Sequence, residues 1–532
     1  MPAQTQRSVR ASDASRTATM ACEGSGPTVV GISRGSRSVA RDHPFYEGRT
    51  RGIWLLSAHL MYLLRHMSLS KCFKAYDVRA VYPSPLNEQG AWKVGYAAAE
   101  FLLREAVAGG ITGTEAKCIA VGHDMRKSSP SLRDALIRGL RDGGADVVNV
   151  GLVDTPFTYF AVNHLRCAGA IMVTASHNPA QYNGFKISKH HAKPVGQDTG
   201  LTAIRLVTES LDASTAIKHG GALREVDLWD EYRAHIIQFI DPALMSGAKR
   251  LKIVVDASNG MAGTMLPKVF DGVRGLEIER LNFDNSSGEF LHEPNPLVES
   301  NLKQLQDTVR ATGAQAGFCF DGDADRCAAV DERGVTVGCD ILLAWMVQDM
   351  LRTKQGASVV YDLRSSRSVS EIIKECGGIP VESRVGHVFM KAKLAESKAL
   401  IGGELSGHFY FEDMFGADSG ARAFVAVLSA LCNATKPLSQ LLAPCVRYTQ
   451  SGEINFENED KLGALAKLKA TYPHAKTYEL DGLSIDAGEW WANIRMSNTE
   501  PLLRLNLEAK DRATVDRMVA ALEPILGHRV AH

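Results

Sequence analysis

Cys118-Ile119-Ala120-Val121-Gly122-His123-Asp124 is an apolar run that ends in a carboxylate, and the chain repeats the pattern at Leu251 to Asp256 and Ser358 to Asp362. Each run is followed by a polar turn, a helix-like segment, a Gly turn and a second β-rich run. These second runs are Ala145 to Val150, Leu276 to Leu281 and Ile379 to Arg384. Short apolar runs bounded by turns read as buried strands. Strand, crossover and strand make a β-α-β unit, so three repeats predict an α/β protein with three similar doubly wound domains of parallel strands. Glycine and polar residues near 222, 335 and 445 divide the chain into 70–221, 222–335, 336–445 and 446–532.

Ligands of α/β sheets bind at the ends of the strands, so the turns after the apolar runs are the candidate sites. Ala168 to Val173 is followed by Thr174-Ala175-Ser176-His177-Asn178-Pro179, a hydroxyl beside an imidazole with a proline fixing the exit. A serine in this place most often caps a turn or a helix. The second turn is more specific. Asp321-Gly322-Asp323-Ala324-Asp325-Arg326 puts three carboxylates at alternate positions between two apolar runs. Clustered carboxylates repel unless a cation sits among them, and hard divalent cations take oxygen ligands. An EF-hand would have glycine where Arg326 stands, and a helix before the loop. A phosphatase of the haloacid-dehalogenase type would have Thr or Val where Asp325 stands. A Mg²⁺ loop with Arg326 reaching a phosphate fits best.

Both turns resemble the active-serine and metal loops of the α-D-phosphohexomutases, and two further stretches join them in family order. Gly402-Gly403-Glu404-Leu405-Ser406-Gly407-His408 resembles the sugar-binding loop, and Arg495-Met496-Ser497-Asn498-Thr499-Glu500-Pro501 the distal phosphate loop. The likeness runs from about Lys71 to the C-terminus and is nearest to bacterial phosphomannomutases. It implies three similar α/β domains and a C-terminal α+β domain around a central cleft.

By the same resemblance, Ser176 carries a phosphoryl group and Mg²⁺ is held by Asp321, Asp323, Asp325 and the phosphoserine oxygen. Lys186 is the acid/base candidate, assisted by His177, provided that burial or neighbours lower its pKa. Tyr76 and Arg79 lie in Phe73-Lys74-Ala75-Tyr76-Asp77-Val78-Arg79, which resembles the opening motif, although Ala80 replaces the usual glycine. The alternative for these two is an interdomain pair. Glu404 and Ser406 suit adjacent sugar hydroxyls, and His387 and Arg364 align with sugar or phosphate contacts. Arg495, Ser497, Asn498 and Thr499 suit a phosphate dianion, with Arg504 a second cation. Asp124 and Arg126 are read as structural, with His123 departing from the family's arginine. The implied reaction interconverts mannose 6-phosphate and mannose 1-phosphate through a 1,6-bisphosphate, which also serves as activator, and feeds GDP-mannose synthesis. Glucose phosphates are the alternative substrate. A Mg²⁺-dependent phosphatase and a silent sugar-phosphate binder are the rival classes.

The totals agree with a soluble enzyme. At 532 residues the chain is too long for one core. Its zero net charge, without a basic block, argues against nucleic acid as a partner. Ten cysteines without a C-x-x-C pair read as reduced core residues. The expected partners are small hexose phosphates, with the protein a monomer or homodimer. Residues 1–66 are rich in Ser and Arg and contain no Lys. They read as a disordered extension, or as a start assigned too early with Met67 the true beginning. The apolar run Ile53 to Leu64 is too short to span a bilayer. An organelle transit peptide would share the bias, but Asp13, Glu23, Asp42 and Glu47 count against it, and the cytoplasm is the expected location.

Overall fold

The computed structural model describes residues 69–530 apart from 213, 219, 498 and 499. The expectations for residues 1–66 and for Asn498 and Thr499 therefore lie outside the described residues. The rest of the chain folds around four sheets.

The first three sheets share one plan. In each, the strand ending in the repeated carboxylate is central and has a parallel neighbour on either side. Cys118–His123 lies between Asp146–Leu152 and Gly169–Val173. Leu251–Asp256 lies between Leu276–Leu281 and Ala316–Phe320. Ser358–Asp362 lies between Ile379–Ser383 and Ile401–Gly403. The third parallel strand then doubles back as an antiparallel hairpin, with Val173 facing Phe185, Phe320 facing Cys327 and Gly403 facing Phe409. The sheets are thus mixed, which corrects the expectation of parallel strands throughout. The reason is length: a parallel return needs a crossover of about a dozen residues or more, and the connections at 174–181, 321–326 and 404–408 are too short.

Those three connections are the serine, carboxylate and sugar-type loops. The fourth follows suit, because Trp490–Met496 and Leu502–Ala509 pair antiparallel around 497–501. The last sheet is antiparallel and has six strands, with helices Lys461–Thr471 and Arg512–Leu526 contributing Leu468 and Leu522 to its core. This is the expected α+β unit. Leu223–Glu225 pairs with Asp146–Leu152 and completes the first sheet, while Thr336–Val337 pairs with Cys327–Asp331 and completes the second.

A single apolar cluster runs through the first three units. Phe424, on the third unit's helix Gly420–Cys432, meets Phe270, Phe318 and Phe320 of the second edge-on at 5.1, 4.9 and 5.8 Å. Buried aromatic pairs of this geometry each add roughly 0.5–1.5 kcal/mol beyond their buried area. The core therefore fixes the second and third hairpin loops relative to each other. Cys118 and Cys319 are buried free thiols, as expected.

Candidate active site

Ser176 is buried and adopts a left-handed conformation, φ 51°, which costs a non-glycine residue about 1 kcal/mol or more. Arg126 offsets that strain. Its fully buried guanidinium donates to the carbonyls of Ser176, Asn178 and Pro179, each at 2.7 Å, and to that of Tyr182 at 3.2 Å. Asp124 Oδ2 accepts from Arg126 Nε at 3.0 Å, and the Phe290 ring lies 5.0 Å from the guanidinium. This is the structural role expected of Asp124 and Arg126. The divergent His123 is accommodated beside Arg133, whose Nη1 lies 2.8 Å from the His123 Nε2.

The serine loop meets the carboxylate loop directly. Ser176 Oγ donates to Asp321 Oδ2 at 2.8 Å and lies 3.4 Å from His177 Nδ1. Gly322 makes the approach possible, since a Cβ there would stand 2.4 Å from the Ser176 carbonyl oxygen. Asp321, Asp323 and Asp325 are all buried, with carboxylate oxygens within 4.8 Å of one another. Lys186 Nζ donates to Asp323 Oδ2 at 2.7 Å and to Asp325 Oδ2 at 2.5 Å. The Thr155 amide donates to the Asp323 carbonyl at 3.0 Å. Arg326 donates its amide to Asp321 Oδ1 at 3.2 Å, and its Nε lies 3.7 Å from Asp321 Oδ2.

Burial and the other two carboxylates push Asp321 well above the usual range. Burial acts the same way on Asp325, but Lys186 and His408 outweigh it and hold that group well below. Burial disfavours the Lys186 ammonium, yet Asp323, Asp325 and Asp321 raise it above the ordinary lysine value. Lys186 is thus held as a cation, and the lowering on which a role as base depends is not what its neighbours produce. His177 is pushed down by Arg326, then by burial, Arg79 and Lys186, and is neutral. Asp323 Oδ1 is buried without a hydrogen-bond partner, and Asp325 Oδ1 meets only the His408 ring, at 3.4 Å. Such oxygens suit a divalent cation.

The strand Val78–Val81 pairs with Tyr182–Lys189, with Arg79 opposite Gly184. Arg79 thereby reaches the serine loop, donating to Asn178 Oδ1 at 2.6 Å and to Asp77. Tyr76 turns the other way, edge-on to His387 at 5.4 Å and beside Gly386, where a Cβ would stand 2.9 Å from its hydroxyl. Tyr76 and Arg79 thus serve different neighbours, Tyr76 packing on the third unit and Arg79 on the serine loop.

Glu404 accepts from the Gly386 amide at 2.8 Å, Ser406 Oγ at 2.9 Å and the Tyr410 hydroxyl at 3.1 Å. Arg364 is clamped on Asp362, which also accepts from the Leu405 amide at 2.9 Å. His408 closes the quoted sugar-type motif, yet the motif alone assigned it nothing. Its Nε2 is 3.4 Å from Asp325 Oδ1 and its Nδ1 3.3 Å from Glu404 Oε2. These carboxylates outweigh burial and push it up to about 9, so a cationic ring joins the carboxylate and sugar-type loops. A backbone bridge between Arg326 and His408 zips the same two turns together.

In the fourth loop Arg495 and Arg504 face each other across the hairpin, and the Ser497 amide donates to the Leu502 carbonyl at 2.9 Å. Arg495 pairs with Glu453. A cavity of about 630 Å³ borders this region and is lined by Arg364, Leu405, Glu453, Trp491 and Asn506 among others.

Four family profiles match in succession: phosphoglucomutase/phosphomannomutase α/β/α domain I over residues 70–214, domain II over 230–334, domain III over 339–448 and the C-terminal domain over 453–525. The chain belongs to the phosphoglucomutase/phosphomannomutase family. It is 36% identical to a phosphomannomutase of Escherichia coli over 468 residues, 86% of this chain and 99% of that one. A protein of Xanthomonas campestris described as phosphohexose mutases is 37% identical over 454 residues, 83% of this chain and 96% of its own. A crystal structure of a phosphoglucomutase/phosphomannomutase family protein from Burkholderia thailandensis superposes with TM-score 0.77 at 32% identity, covering 86% of this chain and 97% of that one.

As a phosphohexomutase, the protein is an isomerase that acts by phosphoryl transfer. Such a site needs a nucleophile, a group of oxygens for a metal, and cations that hold a second phosphate. A buried hydroxyl and a cluster of buried carboxylate oxygens meet at Ser176 and Asp321. The cations Arg364, Arg495 and Arg504 gather around Glu453. No helix among the described residues is long and apolar enough to cross a membrane.

Proposed function

We propose that the protein is a cytoplasmic phosphomannomutase that interconverts mannose 6-phosphate and mannose 1-phosphate and supplies GDP-mannose synthesis. The observation that carries this reading is the Ser176 hydroxyl held 2.8 Å from Asp321 within a buried carboxylate triad. Ser176, phosphorylated at rest, gives its phosphoryl group to the free hydroxyl of the bound sugar phosphate. The hydroxyl loses its proton as the new O–P bond forms, and Ser176 Oγ leaves as the old one breaks. Ser176 Oγ takes up a proton donated by Lys186 and replaced by the one the sugar hydroxyl gives up, so that the serine ends as a free hydroxyl. The resulting 1,6-bisphosphate turns over within the cleft and returns its other phosphoryl group to Ser176. A little hexose 1,6-bisphosphate would activate enzyme that has lost its phosphate.

Asp321, Asp323, Asp325 and the phosphoserine oxygen would hold one Mg²⁺, which would neutralise charge on the transferring group. Lys186 and Arg326 add fixed positive charge there, and Lys186, held as an ammonium, is suited to donate a proton. His177, neutral and 3.4 Å from Ser176 Oγ, assists by accepting a hydrogen bond. Arg79 and Tyr76 line the approach. Glu404, Ser406 and His387 would bind sugar hydroxyls, and Arg364, Arg495, Ser497, Asn498, Thr499 and Arg504 the phosphate that is not reacting. Mannose and glucose differ only at C2, so activity on both sugars is the second reading.

The test is kcat/KM for mannose 1-phosphate against glucose 1-phosphate, with Mg²⁺ and a trace of hexose 1,6-bisphosphate. The proposal expects mannose to equal or exceed glucose. A preference for glucose of several tenfold steps would make the enzyme a phosphoglucomutase. Release of inorganic phosphate without isomerisation would make it a phosphatase.

A further inference from the structure

The carboxylate of Glu453 stands where three arginines converge. Its Oε2 lies 2.5 Å from Arg495 Nη2 and 4.0 Å from Arg364 Nη1, and its Oε1 is 3.9 Å from Arg504 Nη1. Asn506 Nδ2 adds a long contact at 3.4 Å. Arg364 comes from the third unit and the other two from the last. Two features show that this placement is built in. The strand Thr449–Glu457 shifts register between Gln450 and Glu453, and bulges re-aim the side chains that follow them. Gly452 supplies the positive φ of 71°, and Ser451 Oγ accepts the Leu507 amide at 3.0 Å. The arginines are also incompletely satisfied, since Nε of both Arg495 and Arg504 is buried without a hydrogen-bond partner. Arg364 is already clamped on Asp362, but Glu453 alone is a small acceptor for the guanidiniums of Arg495 and Arg504, whereas a phosphate dianion offers three oxygens and greater charge.

We propose that Glu453 is an internal competitor for the non-reacting phosphate of the substrate: it holds the three arginines in place when the cleft is empty and weakens their grip when it is filled. The inference rests on the reading of Arg364, Arg495 and Arg504 as the distal phosphate site, and deepens it. A mutase that passes through a bisphosphate must release one phosphate from that site and accept the other in each cycle. Without Glu453 the three arginines would keep only Asp362, on Arg364, as a close counter-charge and would hold the dianion too tightly to let it turn. A fixed carboxylate beside them shortens the dwell of the phosphate without unfolding the arginines between cycles.

The experiment compares Ser176→Ala, which cannot turn over, with Ser176→Ala/Glu453→Gln and Ser176→Ala/Arg495→Gln, titrating each full-length protein with mannose 1-phosphate and glucose 1-phosphate. Glu453→Gln keeps the shape and removes the charge, and it should tighten binding about tenfold. In the otherwise wild-type enzyme the same change should lower KM and kcat together, as expected when the ground state is bound too well. A damaged fold cannot produce tighter binding, so that result separates competition from a structural role. Equal or weaker binding by the Glu453→Gln protein, with Arg495→Gln losing affinity, overturns the competitor and leaves the phosphate site standing. Unchanged binding by the Arg495→Gln protein overturns both.

Discussion

Ser176 Oγ and Asp321 Oδ2 are 2.8 Å apart although they lie on hairpin turns of two different sheets. The contact joins a strained serine to a carboxylate that burial and its neighbours make hard to ionise. A cation would resolve both the repulsion among the three aspartates and the unsatisfied oxygen of Asp323.

That relationship predicts strong stabilisation by Mg²⁺. Thermal unfolding at neutral pH, with chelator or with Mg²⁺ at a hundred times its Kd, should differ by about 2.7 kcal/mol. Asp323→Asn should abolish most of the difference. An equal response to Mg²⁺ in Asp323→Asn would place the ion elsewhere.

Arg126→Met should cost about 3–5 kcal/mol, because it leaves the buried Asp124 without its counter-charge and removes a donor from each of four carbonyls at the serine loop. Denaturant unfolding reads the stability, and kcat on the folded fraction reads the loop. We expect kcat to fall by at least tenfold as well. A variant that is less stable but retains wild-type kcat would show that the loop holds its shape without the clamp.

The pH dependence of stability has a marked contributor in Asp154. This fully buried carboxyl accepts one hydrogen bond, from the Tyr232 hydroxyl at 3.1 Å, and burial pushes it up to about 8 from an ordinary 3.8. A group whose pKa is raised on folding favours the folded state at low pH. That advantage is lost as pH rises from about 4 to about 8. Asp154→Asn should flatten this slope in metal-free protein and gain on the order of a few kcal/mol at pH 8. A variant less stable than wild type at pH 8 would show that the ionised carboxylate is tolerated there.

Much of this architecture was legible in the sequence because the three repeats each end a strand in a carboxylate at Asp124, Asp256 and Asp362. The direction of the later strands was not, since nothing in their composition distinguishes a parallel return from a hairpin; the shortness of the connecting loops decides it. The candidate site shows the same limit. Ser176 and the aspartates stand out as local patterns, whereas His408 and Glu453 act through partners far away in the chain, Asp325 for one and Arg364 for the other. Lys186 was legible in place but not in charge, because its aspartate neighbours come from another sheet.

The most direct test of the account is transfer of phosphate from labelled hexose 1,6-bisphosphate to the enzyme, followed by a chase with unlabelled mannose 1-phosphate. The account predicts one label per chain, on Ser176, that passes to the sugar phosphate, with no label taken up by Ser176→Ala. Label that leaves only as inorganic phosphate, or that settles equally on Ser176→Ala, would contradict it.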